Sequence, residues 1–271
     1  MNSRIIAFIG GGNMASAILG GLIANGLRAQ DVRIVEPFEA QRAKLLQDHG
    51  VQAIAQADAS LADAQLVVWA VKPQSFREAA GPVAPHTPRA LHLSVMAGIR
   101  SDALAKALGT ERIVRSMPNT PALIGQGIAG LFARAAVTAA DKALVDQALA
   151  PTGRTVWVAD ETQLDAVTAL SGSGPAYVFY FIEAMVAAAE RMGLSAEQGK
   201  ALALATFGGA TELASRSPET PAVLRERVTS KGGTTYAALT AMEAAGVKEA
   251  FITAMQAAQS RARELGDEFG G

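Results

Sequence analysis

Short, almost wholly apolar runs alternate with helical patterns through the first 160 residues or so, and this alternation restricts the fold more than any other feature of the chain. The runs are RIIAFIG, VRIVE, LVVWAV, ALHLSVM and RIVRSMP; between them, residues 13–25, 39–49, 74–83 and 101–108 carry helical spacing. Strands that are apolar on both faces must be covered on both faces, which predicts a parallel, doubly wound α/β sheet of Rossmann type. Two further runs, IAGLFA and TVWVA, extend that sheet. Gly26 and Gly50 follow their helices where a left-handed cap belongs.

After about residue 162 the strand patterns cease. Val178, Phe181, Ile182, Met185, Ala189 and Met192 recur at helical spacing behind Pro175, a residue suited to a first helical position. Ser195 and Gln198 form a capping-box pattern for the next helix. A short helix over 222–228 and two more separated by Gly246 complete an all-α second domain, which places the division at 1–161 and 162–271. Its alanine-rich helices are apolar on more than one face, so a second subunit is expected to cover the remainder.

Composition removes several classes of function. The net charge is −1 with no lysine or arginine cluster, which gives no pull toward nucleic acid or an anionic membrane. There is no cysteine, so thiolate metal sites and cysteine nucleophiles are excluded, and no metal site is expected. The most apolar run, 176–189, is interrupted by Glu183 and is shorter than the ~20 residues a membrane helix needs. MNSRIIAFIG enters a strand pattern at once rather than a signal-peptide pattern, and the expected location is the cytoplasm.

FIGGGNMASAI sets Gly10, Gly12 and Ala15 in a GxGxxA pattern directly after a strand and at a helix start. In that context the first glycine permits the tight turn, the second lets backbone approach a pyrophosphate, and Ala15 allows close helix packing. Helix-end amides then face the phosphates of a dinucleotide. Glu36 ends the second strand, where a carboxylate would accept hydrogen bonds from an adenosine ribose and favour NAD; Arg42 offsets this only if its helix brings it near. AVKPQ (70–74), placed after the fourth strand, and MPNTP (117–121) share the sheet's carboxyl edge, where Lys72 and Asn119 supply donors.

A dinucleotide makes hydride transfer the natural reaction class. His49, His86 and His92 fall on a helix end, a loop and a strand without a carboxylate partner, and the helix behind Pro175 offers Tyr177, Tyr180 and Glu183 but no lysine. That counts against carbonyl or alcohol chemistry, which requires a positioned base. A cyclic imine needs orientation more than a strong base. The loop TSKGGTTYAAL (229–239), with paired glycines and hydroxyls at a helix start, would supply it by holding an anion on the amides of Gly233 to Thr235.

GGGNMASAILGGL, AVKP, MPNTPALIGQGI, LSGSGPAYVFYFIEAM and VTSKGGTTYAAL, in this order and across nearly the whole chain, resemble the signatures of the Δ1-pyrroline-5-carboxylate reductase family. The resemblance implies reduction of (S)-1-pyrroline-5-carboxylate to L-proline with NADPH or NADH, the last step of proline biosynthesis. It also implies a helical dimerisation domain, a homodimer and assembly of dimers into rings. Carried over by motif, Gly10, Gly12, Asn13 and Met14 line the dinucleotide, and Ala70, Val71, Lys72, Pro73 and Asn119 flank its nicotinamide half. Val228, Thr229, Gly232, Gly233, Thr234 and Thr235 hold substrate, and Thr235 matches the threonine that hydrogen-bonds the ring nitrogen. Two positions depart from the family pattern: Lys231 replaces a proline, and Glu36 stands where NADPH-preferring relatives have a small hydroxyl residue. Reduction of another cyclic imine or a small keto acid, and a dinucleotide-sensing dimer without catalysis, remain as alternatives.

Overall fold

The computed structural model describes residues 4–270; Met1, Asn2 and Ser3 of the opening MNSRIIAFIG, and Gly271, lie outside the described residues. The strands are β1 (Ile6–Ile9), β2 (Val32–Val35), β3 (Leu66–Trp69), β4 (Leu91–Ser94), β5 (Ile113–Met117), β6 (Gly127–Ala133) and β7 (Gly153–Trp157). They form one sheet in the order β2-β1-β3-β4-β5-β6-β7.

Alternation along each strand sorts its side chains onto two faces. Ile6, Phe8, Leu66, Val68, Leu91 and Leu93 point to one side. There they meet α1 (Asn13–Ala24), α2 (Glu39–His49) and α5 (Ala139–Leu149) through Ile18, Leu45 and Val145. Ala7, Ile9, Val67 and Trp69 point to the other side, under α3 (Phe76–Val83) and α4 (Ser101–Leu108) through Phe76, Val83 and Leu104. Helices on both faces explain why these strands carry no polar alternation.

Two expectations are corrected. The sheet is not parallel throughout: β5 and β6 run antiparallel. The segment between them, residues 118–126, contains only a 3₁₀ turn over Thr120–Ile124, and a parallel crossover needs a dozen residues or more. The segment AVKPQ follows the third strand rather than the fourth, since only β1 and β2 precede β3 in the chain; residues 51–57 make one isolated bridge, Ile54 to Val35.

The remaining helices are α6 (Gln163–Val167), α7 (Gly174–Arg191), α8 (Ala196–Arg216), α9 (Pro221–Arg227), α10 (Thr234–Ala244) and α11 (Val247–Gly270). The reciprocal capping box at Ser195 and Gln198 starts α8. The chain divides into two compact units, one running up to Ser173 and including the residues from Ala258 onward, the other Gly174–Ala257. In the second unit α7 and α8 pack closely where Gly199 lies against Ala189: a Cβ on Gly199 would stand 2.7 Å from the Ala189 methyl. Tyr177 and Phe181 of α7 both pack edge-on against Phe251 of α11.

Candidate active site

In the first unit the strand order reverses between β1 and β3, the switch point at which ligands bind in open α/β sheets. The loops leaving these two strands touch. Gly10 has φ +91°, and a Cβ there would lie 2.8 Å from the Ala70 carbonyl oxygen and 3.0 Å from Val71 Cγ1. Only glycine meets both demands. Its amide donates to the Val35 carbonyl at 2.9 Å, which fixes the turn against the end of β2.

Gly12 is the opposite case: no atom lies within 4 Å of its Cβ position. It is the N-cap of α1, with no side-chain cap on the first-turn amides. Those amides lack intrahelical acceptors and carry the positive end of the helix dipole. Open space above exposed donors is the cradle that a pyrophosphate requires. Asn13 is exposed beside this opening, while Met14 is half-buried and packs on the core beneath it. Ala15 is buried, as close packing of α1 demands.

The glycine between them was not singled out by the sequence pattern and is the most enclosed. A Cβ on Gly11 would fall 2.5 Å from Leu45 Cδ1. Its amide donates to Glu36 Oε2 at 2.8 Å, and its carbonyl accepts from the Gln41 side chain. Glu36 is only 5% exposed, and its second oxygen accepts from the Phe38 amide at 3.0 Å. The carboxylate therefore braces the glycine loop against the start of α2. Arg42 does reach this region: its Nη1 donates to the Glu36 carbonyl at 3.0 Å and the Pro37 carbonyl at 2.7 Å.

At the same sheet edge Ala70 and Val71 are half-buried, one against each core face. Lys72 is exposed, and Pro73 opens a 3₁₀ turn. Asn119, beyond β5, accepts from the Ile128 amide through Oδ1 at 3.0 Å. That bond fixes the amide plane and leaves the Nδ2 donors for another group. The strand end below it is held firmly. Arg115 of β5 pairs with Glu161 at 2.6 Å, and Glu161 also accepts from the Ser101 amide at 2.6 Å. Burial pulls the Arg115 guanidinium below its usual range, and Glu161 opposes that shift. Gly172, in a π-helical turn over Thr168–Gly172, has Met117 Cε where a Cβ would sit.

The second glycine loop belongs to the second unit. Val228 ends α9 and is exposed. The Thr229 hydroxyl donates to the Arg225 carbonyl at 2.6 Å, so it is turned toward its own helix. Gly232 has φ +75°, and a Cβ on Gly233 would lie 2.7 Å from Ser230 Oγ. The Gly233 amide donates to the Ser230 carbonyl at 3.0 Å and is already engaged. Gly233 is the N-cap of α10 without a side-chain cap, so the donors offered at this terminus are the first-turn amides of Thr234, Thr235 and Tyr236. Thr235 is half-buried; Thr234 and Lys231 are exposed.

The histidines take no part in either loop. His92 is buried in β4 and accepts at Nδ1 from Trp69 Nε1 at 3.0 Å. Among the described residues no group of three or more His, Asp or Glu is placed to hold a metal.

A dinucleotide cradle at the switch point, with donors around its far end and a helical second unit, defines an NAD(P)H-dependent oxidoreductase. The chain is 43% identical to the pyrroline-5-carboxylate reductase of Pseudomonas aeruginosa over the whole of both chains, and 41% identical to that of Haemophilus influenzae over 98% of each. It belongs to the pyrroline-5-carboxylate reductase family, whose members reduce that imine to proline with NAD(P)H. Residues 161–265 match the family profile "Pyrroline-5-carboxylate reductase dimerisation", and residues 5–98 match "NADP oxidoreductase coenzyme F420-dependent". Among solved structures, the reductase of Coxiella burnetii is similar with TM-score 0.91 and 36% identity, covering 97% of this chain and 99% of that one. The Plasmodium falciparum enzyme with NADP bound gives TM-score 0.86 and 28% identity, covering 98% and 99%. The dimerisation profile supports a homodimer or larger oligomer. Among the described residues no helix is long and apolar enough to cross a membrane.

Proposed function

We propose that this chain reduces (S)-1-pyrroline-5-carboxylate to L-proline through two sets of residues, one for the dinucleotide and one for the imine. Reduced nicotinamide supplies a hydride to the imine carbon, and a proton reaches the ring nitrogen, so the C=N bond becomes a secondary amine. Gly10 and Gly12 let the pyrophosphate approach, the first amides of α1, Asn13 and Met14 among them, donate to it, and Glu36 shapes the loop from beneath. Ala70, Val71, Lys72 and Pro73 border the nicotinamide half, and Asn119 offers its Nδ2 donors there.

The observation that carries the substrate assignment is the turn over residues 229–233, which delivers the chain into α10 with uncapped amides. Val228, Thr229, Gly232 and Gly233 build that turn; Thr234 and Thr235 head the helix and donate to the substrate carboxylate. The Thr235 hydroxyl, at the second helical position, orients the ring nitrogen and relays its proton. No strong base is required, because hydride addition to a protonated imine depends on orientation.

We assign residues 1–161 to the dinucleotide domain and 162–271 to a domain for substrate and dimerisation, acting as a cytoplasmic homodimer able to form a ring of dimers. Exposed apolar side chains on the helical unit, among them Phe179, Tyr180, Leu202, Leu213 and Met242, support a covered face there. The cysteine-free composition accords with a reducing compartment. Purified protein mixed with pyrroline-5-carboxylate and NADPH or NADH is expected to consume nicotinamide absorbance and form proline. No turnover with either cofactor would overturn the proposal, and a panel of other cyclic imines and keto acids separates the neighbouring activities.

A further inference from the structure

We infer that Arg42 is the specificity-determining residue for a 2′-phosphate on the adenosine ribose, and that this chain therefore prefers NADPH although a glutamate ends β2. The inference rests on the reading of the first unit as a dinucleotide site.

A carboxylate at the end of β2 ordinarily selects NAD by accepting from the ribose hydroxyls and repelling a phosphate. Glu36 is not disposed to do so here. It is almost wholly buried, and each of its oxygens already takes a backbone donor, Gly11 at 2.8 Å and Phe38 at 3.0 Å. Both bonds draw the carboxylate down between the glycine loop and the first turn of α2. Gln41 closes the other side of Gly11 by donating to its carbonyl, and Leu45 fills the space a Gly11 side chain would need. What this end of the strand offers outward includes the guanidinium fixed to its backbone, beside the exposed Phe38 and Glu39.

That guanidinium belongs to Arg42, one helical turn into α2. Nη1 donates to two successive carbonyls, Glu36 at 3.0 Å and Pro37 at 2.7 Å, which pins the group at the carboxyl end of β2. Both bonds use one of three guanidinium nitrogens; Nη2 and Nε remain as a planar edge suited to two phosphate oxygens. The side chain is half-buried, so it is ordered before a ligand arrives and loses little freedom on binding. A cation held here also offsets the field of the inward carboxylate. The anchoring carbonyls belong to the strand end itself, so the guanidinium is held there, where it would meet a 2′-phosphate.

The test uses ligand fragments and needs no turnover. Calorimetric titration of the intact protein with 2′,5′-ADP and with 5′-AMP is expected to show the 2′-phosphorylated ligand binding at least about tenfold more tightly. In Arg42→Ala that advantage is expected to vanish, with 2′,5′-ADP weakened about tenfold to a hundredfold and 5′-AMP almost unchanged. Arg42→Lys, which keeps the charge but not the fork, should fall between the two, and it serves as the working variant if Arg42→Ala melts far below the parent. Equal affinity of the parent for both fragments would overturn the inference, and so would a variant that loses both equally or neither. Because no imine is present, selective binding without pyrroline-5-carboxylate turnover would sink the proposed function and leave this inference standing. Turnover without selectivity would do the reverse.

Discussion

His92 offers a quantitative test of how the sheet's interior sets the pH range of the fold. The ring lies in β4 at 1% exposure. Its Nδ1 accepts from Trp69 Nε1, and Nε2 has no hydrogen-bond partner among the described residues. The neutral ring thus carries its proton on Nε2, and a second proton would have to enter at Nδ1, facing the Trp69 donor. Burial pushes the pKa from 6.5 to about 4, and the charge of Arg112 adds to the shift. Between those two values the unfolded chain binds the proton and the folded chain does not. Stability from this group is therefore complete above pH 6.5 and is lost as pH falls toward about 4. At ~1.4 kcal/mol for each tenfold difference in proton affinity, the whole loss is about 3 kcal/mol.

His92→Asn keeps an acceptor near the Nδ1 position and removes the titration. Urea unfolding followed by tryptophan fluorescence reports the relevant unit, because Trp69 and Trp157 both lie within it. Carboxylates in both proteins contribute equally and cancel in the difference. Between about pH 7.5 and about pH 4.5 the parent should lose roughly 2 to 3 kcal/mol more than the variant. Parallel stability curves for the two would refute the assignment of this pH dependence to His92.

Gly10→Ala forces a side chain into the Ala70 carbonyl at φ +91°. Left-handed strain alone costs about 1–2 kcal/mol, so the melting temperature should fall and the fluorescence-monitored affinity for NADPH should drop by tenfold or so; unchanged values of both would show that the two loops yield freely. Thr235→Ala is expected to lower turnover by about tenfold to a thousandfold, with Thr235→Ser recovering most of it. A Thr235→Ala enzyme with parental kcat would reduce the hydroxyl to a helix-terminal group without a chemical role.

The elements of the first unit were legible because each is announced locally. The expected helix at 39–49 is α2, closed by Gly50 in the left-handed region, and in the second unit the expected capping box at Ser195 likewise opens α8. The reversal at β5 and β6 was not legible from the apolar runs, since a run has no direction; it was legible only in the shortness of the segment between them. Gly11 escaped the GxGxxA reading because that pattern assigns it no task. Its neighbours are Glu36, Gln41 and Leu45, some 25 to 34 residues away, and only folding brings them there. Glu36 itself was placed correctly at the end of β2, but a sequence cannot say which way a carboxylate turns. Here two backbone donors decide it.

The two glycine loops show the same limit from the other side. Both precede an uncapped helix, and both contain a glycine at positive φ and a glycine pressed against a neighbour. In the first, Gly10 and Gly11 are both pressed, Gly10 sealing one loop to another, and Gly12 keeps open space in front of the α1 amides. In the second, the pressed residue is Gly233, whose amide is engaged with Ser230, so the available donors begin one residue later at Thr234. A pyrophosphate needs room for backbone to pass alongside it, and the first loop leaves that room. On the assignment proposed above, the second loop meets a single carboxylate with the first-turn amides of α10, beyond its crowded N-cap glycine. On that proposal the difference between the two sites lies in whether the N-cap glycine is open, as at Gly12, or crowded, as at Gly233, a distinction that both motifs contain and neither spells out.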